Sequence, residues 1–259
     1  MDWNKKKCIV LDMDGTVYLG DIPIAGAVSF IQSNWQDKDF FFLSNNTSKS
    51  PKSYVTKLNG MGIAASEKHF LSPTTPLVEF LDKQAIDRAY IVGNRDFQED
   101  LHRRMPGLEQ TADRAQAVIL AYDTELTYEK LSRSALLLQN PQVRFLATHP
   151  DLVCPSPEGP LPDVGSMLAL YATATGRRPE QIFGKPDPKV LEPLLARYAK
   201  EEMVMVGDRL STDKKLAENA GIDFVLVLSG EATLEDVRKE ARQPSQILEN
   251  LGQAERAFQ

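Results

Sequence analysis

Apolar runs that stop abruptly at a small polar or acidic residue punctuate this chain, and stretches of helical spacing separate them. Cys8-Ile9-Val10-Leu11 runs straight into Asp12, and Asp14-Gly15-Thr16 follows two residues on. An unbroken apolar run bounded by turn residues predicts a strand buried on both faces, as in a parallel sheet. The same pattern predicts strands at residues 39–44, 89–93, 117–121, 143–148, 203–208 and 224–228, with a short last one at 246–248. Between them, apolar residues spaced at three and four predict helices, beginning at 25–35 with Ala27, Val28, Phe30, Ile31 and Trp35. Further helices are expected from Pro51 to a stop at Gly60 or Gly62, and at 73–82, 97–105, 127–139 and 164–175. The last three are expected from Pro188 to about residue 200, over 211–220 with Gly221 as C-cap, and from Thr233. Residues 15–23 carry Gly, Asp and Pro and read as irregular.

Strands alternating with helices predict an α/β protein with a doubly wound, mostly parallel sheet. From about residue 83 the alternation starts afresh, and Gly176-Arg177-Arg178-Pro179 reads as a joint. Residues 83–180 are therefore expected to form an inserted α/β domain, with residues 1–82 and 181–259 forming the core. No repeat of fixed period and no low-complexity tract is present.

At 259 residues the chain is long enough for a core domain plus an inserted one. Its hydrophobic and charged fractions, 42% and 25%, are those of an ordinary globular protein. No apolar run approaches bilayer length, no signal-peptide pattern precedes the first strand, and no membrane partner is expected. Two cysteines are too few for a disulfide framework, so a reducing cytoplasm is the expected setting. A net charge of −6 argues against nucleic acid as a partner but leaves small anionic substrates open.

Several apolar runs end in residues that carry chemistry: Asp12 and Asp14, Ser44 and Asn45, then Gly207-Asp208. Gly184-Lys185-Pro186 stands at a helix entrance between the last two. If these strands neighbour one another in a parallel sheet, their ends share the edge where open α/β sheets bind ligands. Converging carboxylates repel unless a positive charge lies between them, and oxygen-only donors suit magnesium. Carboxylates, a hydroxyl with adjacent amides, a Lys and a further pair, Asp208 and Asp213, compose a phosphate site with a metal. Each motif alone also has a plain reading. Asp14-Gly15 is ordinary turn chemistry, and Asp213 is equally a first-turn helix acid favoured by the macrodipole.

Asp12-Met13-Asp14-Gly15-Thr16, Ser44-Asn45-Asn46, Gly184-Lys185-Pro186 and Gly207-Asp208 with Asp213 resemble, in order, the four motifs of the haloacid dehalogenase (HAD) superfamily. The block between the second and third motifs resembles the α/β cap of the class IIA members, the NagD-like and 4-nitrophenylphosphatase-like phosphatases. This resemblance implies that Asp12 attacks phosphorus and forms a phosphoaspartate. It also implies that Asp14 is general acid and base, and that Ser44, the Asn45 amide and Lys185 hold the phosphoryl oxygens. Magnesium would be held by the Asp12 carboxylate, the Asp14 carbonyl and Asp208, with Asp213 in support. The 15–23 stretch would be a flap over the site.

The implied activity is magnesium-dependent hydrolysis of a small phosphorylated metabolite, such as a sugar phosphate or nucleoside monophosphate. Phosphoryl transfer to another hydroxyl, and less so a receiver-like signalling role, stand as alternatives. Self-association through the cap is left open. Three positions depart from the family pattern: His149 where Asn is common before Pro-Asp, Lys214 where an aliphatic residue is usual, and Asp163-Val164-Gly165-Ser166 in place of a glycine-richer turn. His149 and Asp163 are accordingly expected to be specificity contacts in the cap, although His149 also reads as an ordinary turn histidine.

Overall fold

Five consecutive buried residues, Cys8–Asp12, form the central strand of a six-stranded parallel sheet. The computed structural model describes residues 1–156 and 158–258, which divide into two units. The first holds Met1–Ser44, Pro51–Leu71 and the segment from Lys185 onward. Across its sheet the strands run Gln246–Leu248, Asp223–Val227, Met203–Gly207, Cys8–Asp12, Asp39–Leu43 and Phe70–Leu71. Numbered in chain order within the sheet this is 6-5-4-1-2-3, so strand order reverses between Cys8–Asp12 and Met203–Gly207. Such a reversal opens a crevice at the carboxyl ends of the two strands.

Side chains alternate across each strand and sort into two apolar layers. Ile9, Leu11, Phe40, Phe42, Val204 and Val206 face one way, onto Phe30 and Ile31 of the helix Ala27–Asn34. Val10, Phe41, Leu43, Met203 and Met205 face the other, onto Leu216 and Ala217 of the helix Lys215–Ala220. Phe30 meets Trp3 and Phe40 edge-on, each with ring centroids 6.0 Å away. Replacing this fully buried ring by Ala leaves a cavity under the sheet. Phe30→Ala is expected to destabilise the protein by about 3–5 kcal/mol, read as a lowered urea midpoint. An unchanged midpoint would mean that the layer collapses to fill the gap.

The second unit comprises Asn45–Ser50 and Ser72–Gly184. Its parallel sheet has the order Gln181–Ile182, Arg144–Ala147, Ala117–Leu120, Arg88–Val92 and Glu109–Gln110. The boundaries are wider than the 83–180 read from sequence. The helix Thr74–Lys83 packs Leu77 and Leu81 into one cluster with Ile91, Ile119 and Phe183, so apolar burial ties both flanks to this unit. The 45–50 loop is stitched to it by hydrogen bonds: the Tyr122 N–H donates to Thr47 Oγ1 at 3.0 Å, and Asn94 Nδ2 to the Ser48 carbonyl at 3.2 Å.

Local departures from expectation have local causes. Pro193, lacking an N–H, sits inside the predicted 188–200 helix. The segment breaks into a 3₁₀ turn, Pro188–Leu191, a short helix, Glu192–Leu195, and a second 3₁₀ turn, Lys200–Glu202. Residues 18–23, expected to be irregular, pair as a small antiparallel hairpin of Tyr18–Leu19 with Ile22–Pro23. Among the described residues no helix is long and apolar enough to cross a membrane.

Candidate active site

Asp12 is the last residue of its strand, and its side chain lies at the reversal of strand order. Lys185 is 3% exposed and its Nζ is hydrogen-bonded to Asp12 Oδ1 and, at 2.7 Å, to Asp213 Oδ1. One buried ammonium thus bridges two carboxylates. Asp213 lies in a single π-helical turn, Leu210–Lys214, where the Lys214 N–H reaches back five residues to the Arg209 carbonyl at 3.1 Å. Such turns recur at functional sites because they re-aim side chains. The other oxygen of Asp213 accepts the Arg209 N–H at 3.1 Å. Asp208, one residue past the strand Met203–Gly207, accepts the Glu231 N–H on Oδ2 at 2.7 Å. Its Oδ1 is buried and has no hydrogen-bond partner among the described residues.

Three glycines leave room for these acids. A Cβ at Gly230 would stand 1.9 Å from Asp208 Oδ2, one at Gly207 2.3 Å from Asp213 Oδ2, and one at Gly15 2.5 Å from Asp208 Oδ2. Gly15 also has φ +88°, a conformation that side chains other than glycine resist. Neither Gly230 nor the Glu231 amide was singled out from sequence. The only signal was Ser229-Gly230 following a predicted strand on the same sheet edge.

Charge crowding shows in the titration of the cluster. Burial, chiefly, raises the Asp12 carboxyl well above its ordinary value; Asp213 and Asp208 add to this, and Lys185 opposes it. Asp208 is pushed up to about 7, first by burial and then by Asp213. Burial alone would lower Lys185, but Asp12 and Asp213 outweigh it and hold the ammonium above the usual lysine range. The cluster therefore keeps one firm positive charge among acids that resist ionising together.

The family model for haloacid dehalogenase-like hydrolases matches residues 9–104, and a HAD-hydrolase-like model matches residues 182–254. An acid sugar phosphatase of Staphylococcus haemolyticus is 30% identical over 253 residues, covering 96% of this chain and 95% of that protein. The chain belongs to the haloacid dehalogenase-like hydrolase family. It is a phosphatase of that family. A 4-nitrophenylphosphatase from Thermotoga maritima superposes with a TM-score of 0.92 at 37% identity, over 99% of both chains. A glycerol phosphate phosphatase from Mycobacterium tuberculosis, in complex with magnesium, gives a TM-score of 0.87 at 28% identity, covering 99% of this chain and 77% of that one.

A divalent cation fits the HAD cluster. Carboxylate oxygens of Asp12, Asp208 and Asp213 lie within 4.8 Å of one another. The partnerless Asp208 Oδ1 is the kind of buried oxygen that a hard cation satisfies.

The remaining expected residues are placed differently. Asp14 is exposed and takes no part in that cluster. Partial burial by neighbouring groups raises its carboxyl, opposed by Lys57, Arg209 and a hydrogen bond from the Gly20 backbone. Ser44, at the end of Asp39–Leu43, belongs to the first unit, and its N–H donates to the Leu71 carbonyl at 3.3 Å. Asn45 begins the second unit, where Nδ2 donates to both carboxylate oxygens of Asp151, at 3.2 and 3.3 Å.

His149 and Asp163, expected to be specificity contacts in the cap, both lie in the second unit. Both are buried: His149 Nε2 lies 2.9 Å from Asp163 Oδ1, and Nδ1 lies 2.9 Å from Thr148 Oγ1. Asp163 Oδ1 also caps the helix Val164–Thr175 by accepting the Val164 N–H at 2.6 Å. Burial of a polar ring is tolerated because both nitrogens are satisfied. Lys214, the other departure from the family pattern, is buried as well and ion-pairs with Glu218 at 2.6 Å and Glu240 at 2.8 Å.

Proposed function

We propose that this HAD phosphatase is a magnesium-dependent phosphomonoesterase that hydrolyses a small phosphorylated metabolite through a phosphoaspartate. The observation that carries the reading is the buried Lys185 bridging Asp12 and Asp213 beside the partnerless Asp208 Oδ1, all at the reversal of strand order. Asp12 attacks phosphorus, and the bond to the leaving oxygen breaks as Asp14 supplies its proton. Asp14 then takes a proton from the water that attacks the phosphoaspartate, and phosphate departs with Asp12 restored. Lys185 offsets charge on the phosphoryl oxygens throughout, and Ser44 with the Asn45 amide completes their cradle. Asp12, the Asp14 carbonyl and Asp208 would hold magnesium, with Asp213 in support. When bound, the ion supplies further charge neutralisation.

The acid sugar phosphatase and the magnesium-bound glycerol phosphate phosphatase support a small polyol or sugar phosphate as substrate. The second unit supplies selection among leaving groups, with His149 and Asp163 bracing its loops from within. Neither Cys8 nor Cys154 is in a disulfide among the described residues, which supports a reducing cytoplasm as its setting.

The test is phosphate release from a panel of sugar phosphates, glycerol phosphate and nucleoside monophosphates with magnesium, with and without added alcohols. One or more members should yield inorganic phosphate equal to the substrate consumed. Transfer to the alcohol without phosphate release, or no turnover across the panel, would overturn hydrolysis.

A further inference from the structure

One cation beside the site has no part in the chemistry above. Lys57, on the helix Pro51–Gly60, donates from Nζ to the Gly20 carbonyl at 2.6 Å, and the same nitrogen stands 3.9 Å from the centre of the Tyr18 ring. It also lies 3.3 Å from Asp21 Oδ1. Asp21 is fully exposed, so that ion pair contributes little. The carbonyl bond and the cation–π contact do most of the holding.

What Lys57 grips is the small hairpin that borders Asp14. Tyr18–Leu19 and Ile22–Pro23 are two residues each, too short to persist as a free ribbon. Leu19 and Ile22 are exposed at its tip, so its apolar anchoring is confined to Tyr18, whose buried ring is the one Lys57 stands over. Yet the hairpin meets Asp14 closely: Asp14 bridges to Tyr18, and the Gly15 N–H donates to the Tyr18 carbonyl at 2.7 Å. Lys57 thus holds the turn of the hairpin by the Gly20 carbonyl, while Tyr18 at its base pairs with the Asp14 backbone. Below it, Ser229 Oγ donates to the Gly15 carbonyl at 2.6 Å and steadies the base.

We propose that Lys57 is a positioning residue that locks the Tyr18–Pro23 hairpin and thereby holds the Asp14 carboxyl towards the leaving-group oxygen. The proposal rests on the reading of Asp14 as general acid. Its test compares kcat on glycerol phosphate, a poor leaving group, with kcat on 4-nitrophenyl phosphate, which scarcely needs a proton. Lys57→Met keeps the stem and removes the charge and the donor. It should lower kcat on glycerol phosphate by about tenfold, a fraction of what a general acid contributes, and on 4-nitrophenyl phosphate by less than about twofold. Lys57→Arg, which can still donate to Gly20 and stack on Tyr18, should restore the ratio.

Lys57→Gln carries the same test if the Met variant does not fold. Asp14→Asn is the control and should show the same selectivity more strongly. If Asp14→Asn is selective for glycerol phosphate while both Lys57 variants slow the two substrates equally or not at all, the positioning role falls and the acid stands. If Asp14→Asn itself slows both substrates equally, the acid reading falls and the proposal with it.

Discussion

Asp12→Asn is expected to cut turnover by about 10⁴-fold or more while leaving the fold unchanged. The amide fills the same volume at the end of the Cys8–Asp12 strand but cannot attack phosphorus. Lys185 keeps its second anchor, the 2.7 Å bond to Asp213, so the buried ammonium is not stranded. Removing a carboxyl that burial already holds above its ordinary value costs little stability. The check is single-turnover phosphate release together with far-UV circular dichroism. Residual turnover within tenfold of the parent, with folding confirmed, would overturn Asp12 as nucleophile.

Removal of the cation should be equally severe, and it carries a pH signature in stability. Activity is expected to vanish in excess chelator and to return with magnesium. Asp12 and Asp208 have folded-state values raised above the unfolded ones, Asp208 to about 7. Carboxyls raised in this way stabilise the fold when protonated. For the metal-free protein the Asp208 contribution is full below about pH 4, the unfolded value, and is lost as pH rises through about 7, and the Asp12 contribution has the same sign.

A divalent ion replaces those protons, so the rise in Tm on adding magnesium should be larger at pH 8 than at pH 5.5. At a hundredfold excess over Kd, the ion adds about 2.7 kcal/mol, or about 5–10 °C in Tm for a chain of this size. Calcium should give a similar rise with little turnover, because its longer and looser coordination displaces the reacting groups. Full activity in excess chelator, or equal rises at the two pH values, would refute the cation site.

Much of this was legible in the sequence, for identifiable reasons. Strands buried on both faces leave uninterrupted apolar runs, which is why Cys8–Asp12, Asp39–Leu43, Met203–Gly207 and Asp223–Val227 could be read directly. The acids and Lys185 stood out because polar residues at the ends of such runs need a reason to be there. Glu109–Gln110, an exposed edge strand of two residues, leaves no pattern to find. Gly230 and the Glu231 amide act through missing atoms and backbone, which no motif spells out. Thr148-His149-Pro150-Asp151 reads as a polar loop. Its interior placement depends on Asp163, fourteen residues away, and on a ring with both nitrogens satisfied.

The division of the chain into Asn45–Ser50 plus Ser72–Gly184 bears on how such proteins can be recombined. Although the insert looks continuous in sequence, the polypeptide passes between the two units four times, at 44/45, 50/51, 71/72 and 184/185. A graft cut at 83 and 180 would carry the Ala117–Leu120 strand across but leave behind Leu77, Leu81 and Phe183, the side chains that cover its face. A graft cut at 72 and 184 would still bring a Tyr122 amide expecting the hydroxyl of Thr47 and an Asp151 expecting the amide of Asn45. The transferable part in this lineage is therefore a discontinuous pair of segments. Moving the second unit whole would mean moving the six-residue loop after Ser44 together with the larger piece.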